Sequence, residues 1–568
     1  MLVECSGLPD NGHRFRHPGL LTVRRSRTGT ATITPTCGPN RVDIIAMTTA
    51  APPPHVIEAA NTGAFGLLPA GNFRLTTGEC RDCATIPQAL WFFRHERIAV
   101  PQTDQPQAGF SRTHPLADDI AKWHAATPPG SALDYPPLVW TGADGLVAEA
   151  RLSADGRRLL ADGAELAMTL APRHPLNRAW YDESSTRFFA ERPLRVRGDW
   201  QEGRFVARTI WPLDFRLPAQ STARPLAADP LALRERIREQ AQGGARSPFA
   251  TELLWQRPGA AANDAGRPVL GFILNGAQGD DDEAHGGHFA VVTGRIGADG
   301  AIHDWLVANY YTLDAESEKG IVAAPVPLDN YLADLNAGQA WYRPSYMLVA
   351  VLRDARAAAH IQSALGRVFN QFYRHQFSYQ HARANCAGIS ISALRALDWR
   401  IPARGPESWL RAIVGLPAVA IANGSLQQGK ASFDYLTEDR TRLYPAAAFE
   451  EIGADLLRLA GGTARRPLSG FEQVLAGDID ALLFLRIPQL PSSRAWGDFP
   501  VVDSREYRQR VPRDPAERQI VPVGPRPFPK DFIDPDAPRE PPLRSDYALT
   551  GYAALLLGLL LLLLRALS

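Results

Sequence analysis

The strongest constraint on how this chain can fold lies close to its C-terminus. Residues 547–564 read YALTGYAALLLGLLLLLL, eighteen positions without a charge, followed by Arg565. At about 1.5 Å per residue, a helix of that length covers about 27 Å, enough to cross the hydrocarbon layer of a bilayer. Soluble core helices are rarely so unbroken in leucine, so the segment predicts one transmembrane helix. The opening residues, MLVECSGLPDNGHRFRHPGLLTVRRSRTG, lack the apolar core of a signal peptide. The expected topology is a single-pass, C-terminally anchored membrane protein with the bulk of the chain in the cytoplasm. Arg544 and Arg565 flank the run on both sides, so charge asymmetry says little about orientation.

The remaining chain, within a total of 568 residues, exceeds what one hydrophobic core usually organises, and its texture changes along its length. Residues 1–46 are Arg-rich and poor in acids, as expected of a disordered extension or an over-long start. Residues 47–225 look strand-rich. PLRVRGDWQEGRFVARTIWPLDF (193–215) alternates apolar and polar positions on both sides of a Gly-containing turn, which predicts a hairpin. Residues 226–486 mix helix and strand: a helix over 226–242, strands at 269–275, 287–296, 303–312 and 345–352, and a helix over 355–376. From 487 to 546 prolines and charges dominate, which reads as an extended linker to the anchor. The fold class is therefore α+β, with a β-rich domain before a mixed one.

Charge excludes one class of partner. With 61 basic and 60 acidic side chains the net charge is +1, and no electrostatic case for a nucleic-acid partner exists. WQEGRFVARTIW interleaves basic and aromatic residues, yet its alternation suits a strand of a small barrel better than a nucleic-acid surface.

Chemistry concentrates around RANCAGISISAL (383–394). Asn385 is a good N-cap, which makes Cys386 the first residue of a helix whose Ala387, Ile391, Leu394 and Leu397 share a face. A thiol in the first turn sits in the positive end of the helix dipole, which favours the thiolate. A nucleophile also needs a base. His288, in HGGHFAVVTGRIGADGAIHDWLVANYY, follows two glycines and opens an apolar strand, with Ala290 and Val292 on its own face. The return strand HDWLVANYY should supply a third group to orient the imidazole.

A GHFAVVTG strand, a turn, an IHDW return and a later NC at a helix start resemble the circularly permuted papain-like superfamily of permuted NlpC-type hydrolases and lecithin:retinol acyltransferase-like enzymes. The likeness covers residues 265–400 or so, and in both the histidine strand precedes the cysteine helix. It implies thiol chemistry on an amide or ester, with Cys386 as nucleophile and His288 as general base. The third member stays open. By motif it is His303; by hairpin geometry, with a turn centred between Ala298 and Asp299, it is Asn309; Asp304 is a further choice.

The substrate class is thus an amide or ester, lipid or peptide, near a membrane, and no cofactor or metal is implied. The alternative is a non-enzymatic membrane-anchored binding or scaffold protein using the same fold. GDDDEAHGGH (279–288) reads as a solvated loop rather than a metal site. Cys80 and Cys83 have CxxC spacing without a second pair. Five cysteines in all make no disulfide framework; two half-buried thiols are expected there, with a redox pair or a metal shared with a distant His as the alternatives. One outcome follows directly from the tail: truncation before Tyr547 should move the protein from the membrane pellet to the supernatant of a fractionation with its thermal melt unchanged. Persistent pelleting would assign anchoring to another surface.

Overall fold

The structure, a computed structural model, describes residues 21–25, 31–35, 51–83, 85–130, 133–172, 181–239, 248–260, 264–276, 287–313, 322–336, 344–490, 501–510, 513–514, 528–532 and 565. Two units divide the chain. The smaller comprises Met1–Pro53 with Gln201–Gly203. Within it Leu21–Arg25 and Ala31–Pro35 pair antiparallel, so the expected extension contains a hairpin. The larger unit, Pro54–Trp200 and Arg204–Ser568, holds everything below.

Its β-rich part contains a five-stranded barrel: β1 (Gly145–Leu152), β2 (Arg158–Ala161), β3 (Ala164–Leu170), β4 (Leu194–Gln201) and β5 (Arg204–Pro212). The strands run β2-β3-β5-β4-β1, and a β1–β2 pairing closes the circle. β3 and β5 are parallel, and α1 (Glu183–Ala190) connects β3 to β4. That connectivity is the five-stranded Greek-key barrel of the oligonucleotide/oligosaccharide-binding type. The likeness is one of topology and specifies no ligand. The hairpin read over 193–215 is its β4–β5 pair. Inward positions Leu194, Val196, Phe205 and Ala207 fill the barrel with Val147, Leu159 and Leu166.

The mixed part is built on an eight-stranded sheet. Its long members are β6 (Ala250–Gln256), β7 (Pro268–Asn275), β8 (His288–Arg295), β9 (Leu306–Asn309), β10 (Ala324–Pro327), β11 (Ser345–Leu352) and β12 (Ile479–Ile487). Their order is β6-β12-β11-β7-β8-β9-β10, with Thr222–Ala223 at the β6 edge. Every position of β7, β11 and β12 is buried, which explains why VLGFILN and SYMLVAVL are continuous apolar runs without alternation. The cover comes from helices. α2 (Leu328–Ala333) follows β10, and α3 (Arg356–Tyr373), α4 (Cys386–Ala396) and α7 (Pro445–Ala460) pack on the central strands. α5 (Trp409–Ala422) and α6 (Leu426–Thr437) form a hairpin, and α8 (Gly470–Asp478) leads into β12.

Four charged side chains join barrel and sheet. Arg195 and Arg197, from β4, face Asp329 at 3.2 and 2.7 Å and Asp304 at 2.7 and 3.4 Å. Arg208, from β5, repeats the arrangement with Asp334 at 2.8 Å. Arginines on a strand of alternating pattern would ordinarily face water. Here the outer surface of the barrel is covered by α2 and the residues before β9, so each guanidinium needs a carboxylate.

Two expectations are corrected. Cys80 and Cys83 form a disulfide: the loop after Phe73–Thr77 brings their Cα atoms to 5.6 Å, within bridging range. Arg74 donates to the Cys83 sulfur at 2.9 Å and to Asp104 at 2.6 Å. Parts of the expected linker also belong to the body, because apolar residues between its prolines find partners. Val501 and Val502 are buried, and the Phe528 ring stacks 5.4 Å from that of Phe92. Among the described residues no helix is long and apolar enough to cross a membrane; Tyr547–Leu564 lies outside them.

The four-charge cluster makes a pH prediction. Burial raises the affinity of the Asp304 carboxyl for a proton, but Arg195, His303 and Arg197 outweigh it and hold its pKa at about 2, against 3.8 ordinarily. The depressed pKa stabilises the folded state above the unfolded-chain value, and that contribution disappears as pH falls through about 4 towards 2. Asp304 is a quarter exposed. Asp304→Asn should therefore cost about 2 kcal/mol at pH 7 in urea melts, and the gap to wild type should shrink below pH 4. An unchanged gap at pH 3 would show that the carboxylate does not stabilise the fold through its charge.

Candidate active site

β8 begins at His288, immediately after Gly287, whose φ of +70° turns the backbone in a way a side-chain-bearing residue resists. His288 is buried and pairs in register with Asn275, the last residue of β7. On its other side, β9 pairs Val291 with Ala308 and Val292 with Val307. That register is centred between Asp299 and Gly300, one residue beyond the expected turn. The consequence is a two-position offset, which keeps Asn309 on the face of His288 and makes the two diagonal neighbours. Their side chains meet: His288 Nε2 and Asn309 Oδ1 are 2.7 Å apart.

The chemistry of Asn309 decides the proton's position. Its amide nitrogen donates to the Val322 carbonyl at 2.7 Å. A carbonyl only accepts, so the NH2 group must face Val322 and the oxygen must face the histidine. His288 Nε2 therefore carries the hydrogen and donates, and Nδ1 is the basic nitrogen.

α4 places the thiol. Asn385 caps it as expected, its side-chain oxygen accepting from Gly388 N at 2.9 Å. The cap is itself held, donating to Leu443 O at 2.8 Å and His381 O at 3.1 Å. Gly388 is required here for space, since a Cβ would come within 2.8 Å of the Arg383 carbonyl oxygen. Cys386, the first residue of α4, is 3% exposed, and α4 packs against β8. The helix is buried nearly all round rather than on one face, because α3, α7, the Arg440–Leu443 turn and the Leu116–Ala126 helix also surround it.

The structure thus packs the helix that opens with Cys386 against the strand that opens with His288, and brings the His288 and Asn309 side chains together. It does not bring His303 there. His303 lies before β9, at the end of that strand away from Asn309, and its Nε2 sits 3.4 Å from Asp304 Oδ2. Asp304 in turn belongs to the arginine cluster. Asp304 is thus a partner of the barrel, and of the candidates for third member it is Asn309, not His303, whose side chain meets His288.

Three polar residues beside His288 escaped the sequence reading. Tyr331 of α2 has its ring centroid 6.4 Å from the imidazole, and its hydroxyl donates to Asn275 Oδ1 at 2.5 Å. Asn275 Nδ2 donates onward to Ser345 Oγ at 2.9 Å. The available signal was an Asn closing an otherwise apolar strand, VLGFILN, whose burial demands partners. Residues 277–286, which include the acidic loop, lie outside the described residues. Among the described residues no group of three or more His, Cys, Asp or Glu is placed to hold a metal ion.

No family model matches the chain, and no curated protein or solved structure shows significant similarity to it. Geometry alone carries the functional reading.

Asn309 supplies a direct test. A hydrogen bond that supports a charged imidazolium contributes about 1.5–3 kcal/mol, or roughly 10- to 150-fold in rate. Asn309→Ala should slow alkylation of Cys386 at neutral pH by that order and change its pH profile, because the imidazole loses its fixed tautomer. A lower melting temperature with an unaltered alkylation profile would assign Asn309 a purely structural role through Val322.

Proposed function

We propose that this chain is a membrane-anchored thiol hydrolase or acyltransferase acting on an amide or ester, with Cys386 as nucleophile, His288 as general base and acid, and Asn309 as the residue that positions the imidazole. One observation carries the reading: the Asn309 amide has a single permitted orientation, and it fixes His288 in the tautomer a thiol–imidazole site needs. A cysteine opening a helix that packs on the histidine strand supports it. A buried histidine serving only the core would need no such directional control.

In this mechanism His288 Nδ1 takes the thiol proton and the thiolate attacks the substrate carbonyl carbon. Negative charge develops on the carbonyl oxygen, where the backbone N–H at the start of α4 and the positive end of the helix stabilise it. The tetrahedral intermediate expels an amine or alcohol, which leaves with the proton from His288, and a thioester remains on Cys386. Water or an acceptor hydroxyl or amine then attacks the thioester, with His288 again removing the proton, and the thiol is restored. Asn309 keeps its bond to Nε2 throughout and supports the imidazolium when it forms. The apolar tail makes lipid or membrane-proximal peptide substrates the natural choice.

Cys386→Ser separates this reading from a binding or scaffold role. The hydroxyl is nearly isosteric, but its much higher pKa denies His288 an easily ionised partner. Labelling by a thiol-reactive acyl probe should vanish, with thermal stability nearly unchanged. If Cys386 only packs, the buried hydroxyl should cost about 1–3 kcal/mol and the wild-type protein should not label at this residue.

A further inference from the structure

The α5–α6 hairpin stands out from the rest of the surface. Among the described residues nine large hydrophobic side chains are exposed, and five of them are Trp409, Leu410, Val414, Ile421 and Leu426. Scattered exposed apolar residues need no explanation, but a majority gathered on one hairpin does. Leu410, Val414, Ala418 and Ile421 follow a spacing of four, four and three, so they form one ridge along α5; Leu410 is 74% and Ile421 81% exposed. The hairpin holds itself together by a small core of its own, Ala412, Leu416 and Phe433. Asn423, Gly424 and Ser425 make the turn, with Ser425 capping α6. Its shape therefore does not depend on what covers the ridge.

We propose that this hairpin is a membrane-surface element that seats its Leu410–Val414–Ile421 ridge in the headgroup and upper acyl region of a lipid bilayer. The ridge residues project from the exposed side of a two-helix element, the form of an interfacial helix that lies in a headgroup layer. α5 carries no acidic residue and a single charge, Arg411, beside its N-terminus, so nothing on it repels an anionic lipid surface. The chain's own sequence brings a bilayer within reach: only fourteen residues separate Phe532, packed near Gln88, from the uncharged run at Tyr547. Fully extended they span about 50 Å. A body tethered that closely meets the membrane at a high effective concentration, so an apolar ridge that binds lipid only weakly by itself would be seated most of the time.

The seat bears on the active site through its foot. Asp434 of α6 pairs with Arg383, three residues before Cys386, and the Arg383 carbonyl accepts from Arg442 at 3.0 Å. Tyr435 of α6 donates to Tyr444 at 3.0 Å. Lipid seating would thus hold the approach to α4 at the bilayer surface and make lipid-borne esters or amides the substrate class. This consequence rests on the Cys386–His288 reading; the docking itself does not.

The test uses the full-length chain with Cys5→Ser, Cys37→Ser, Cys386→Ser and Leu426→Cys, labelled at the new thiol with a nitrobenzoxadiazole dye and mixed with phosphatidylcholine–phosphatidylglycerol vesicles. The dye should shift to the blue, become shielded from iodide several-fold, and be quenched by lipids bearing a doxyl group near the top of the acyl chain. The same dye on Arg465→Cys should stay accessible to iodide and untouched by doxyl lipid. Adding Leu410→Glu, Val414→Glu and Ile421→Glu, all surface changes, should abolish doxyl quenching at Leu426→Cys while the protein still pellets through its tail.

Equal iodide access with and without vesicles would overturn the proposal. So would shielding in the absence of vesicles, whether it grows with protein concentration, which would mean a second copy, or is lost on truncation before Tyr547, which would mean the chain's own tail. The triple Glu change in the Cys386 chain should lower turnover of a vesicle-borne ester at least tenfold and leave labelling by a soluble acyl probe unchanged. Loss of all acyl labelling in wild type with doxyl quenching intact would refute the thiol mechanism and leave the docking standing.

Discussion

Much of this molecule depends on a cluster of two arginines and two aspartates at the join between barrel and sheet. Arg195 and Arg197 project from a barrel strand into a region closed to water, and Asp304 and Asp329 meet them from the segments flanking β9 and β10. Removing either sign would strand the other in a medium that solvates ions poorly. The cluster therefore ties the barrel to the sheet and holds the end of the β8–β9 connection, just before β9. Since the register of β9 against β8 follows from that connection, the position of Asn309 beside His288 is tied to charges at the other end of the same strand.

At the opposite end the logic is directional rather than ionic. A histidine in a buried strand can adopt either tautomer, and only its partners choose. Asn309 is itself constrained by a carbonyl, so the choice passes from Val322 to Asn309 to His288 without an ionised group. Tyr331, Asn275 and Ser345 form a second chain of neutral hydrogen bonds alongside.

In the proposed docking, the α5–α6 hairpin is the element that would link a lipid surface to the candidate active site. Its apolar ridge and its ion-paired foot belong to one small element, and the foot is bound to the loop that delivers Cys386. With a near-zero net charge, such docking would rest on apolarity, with electrostatic attraction playing a minor part.

Local chemistry was readable from the chain alone. The Asn385 cap and the helix that starts at Cys386, the apolar runs at 269–275 and 345–352, and the β4–β5 hairpin depend on a few consecutive residues, and the sequence determined them by itself. The uncharged run at 547–564 is legible in the same local way, because hydrophobic length needs no partner to be recognised, but it lies outside the described residues. Only the tertiary structure decided whether His303 or Asn309 accompanies His288, since a shift of one residue in the turn moves the opposite strand by two and no local preference sets it. It alone joined Cys80 to Cys83, which required the loop to bring two Cα atoms together. It alone turned Arg195, Arg197, Asp304 and Asp329 from apparent surface charges into a buried lock, because burial is a property of what packs on a residue and not of the residue.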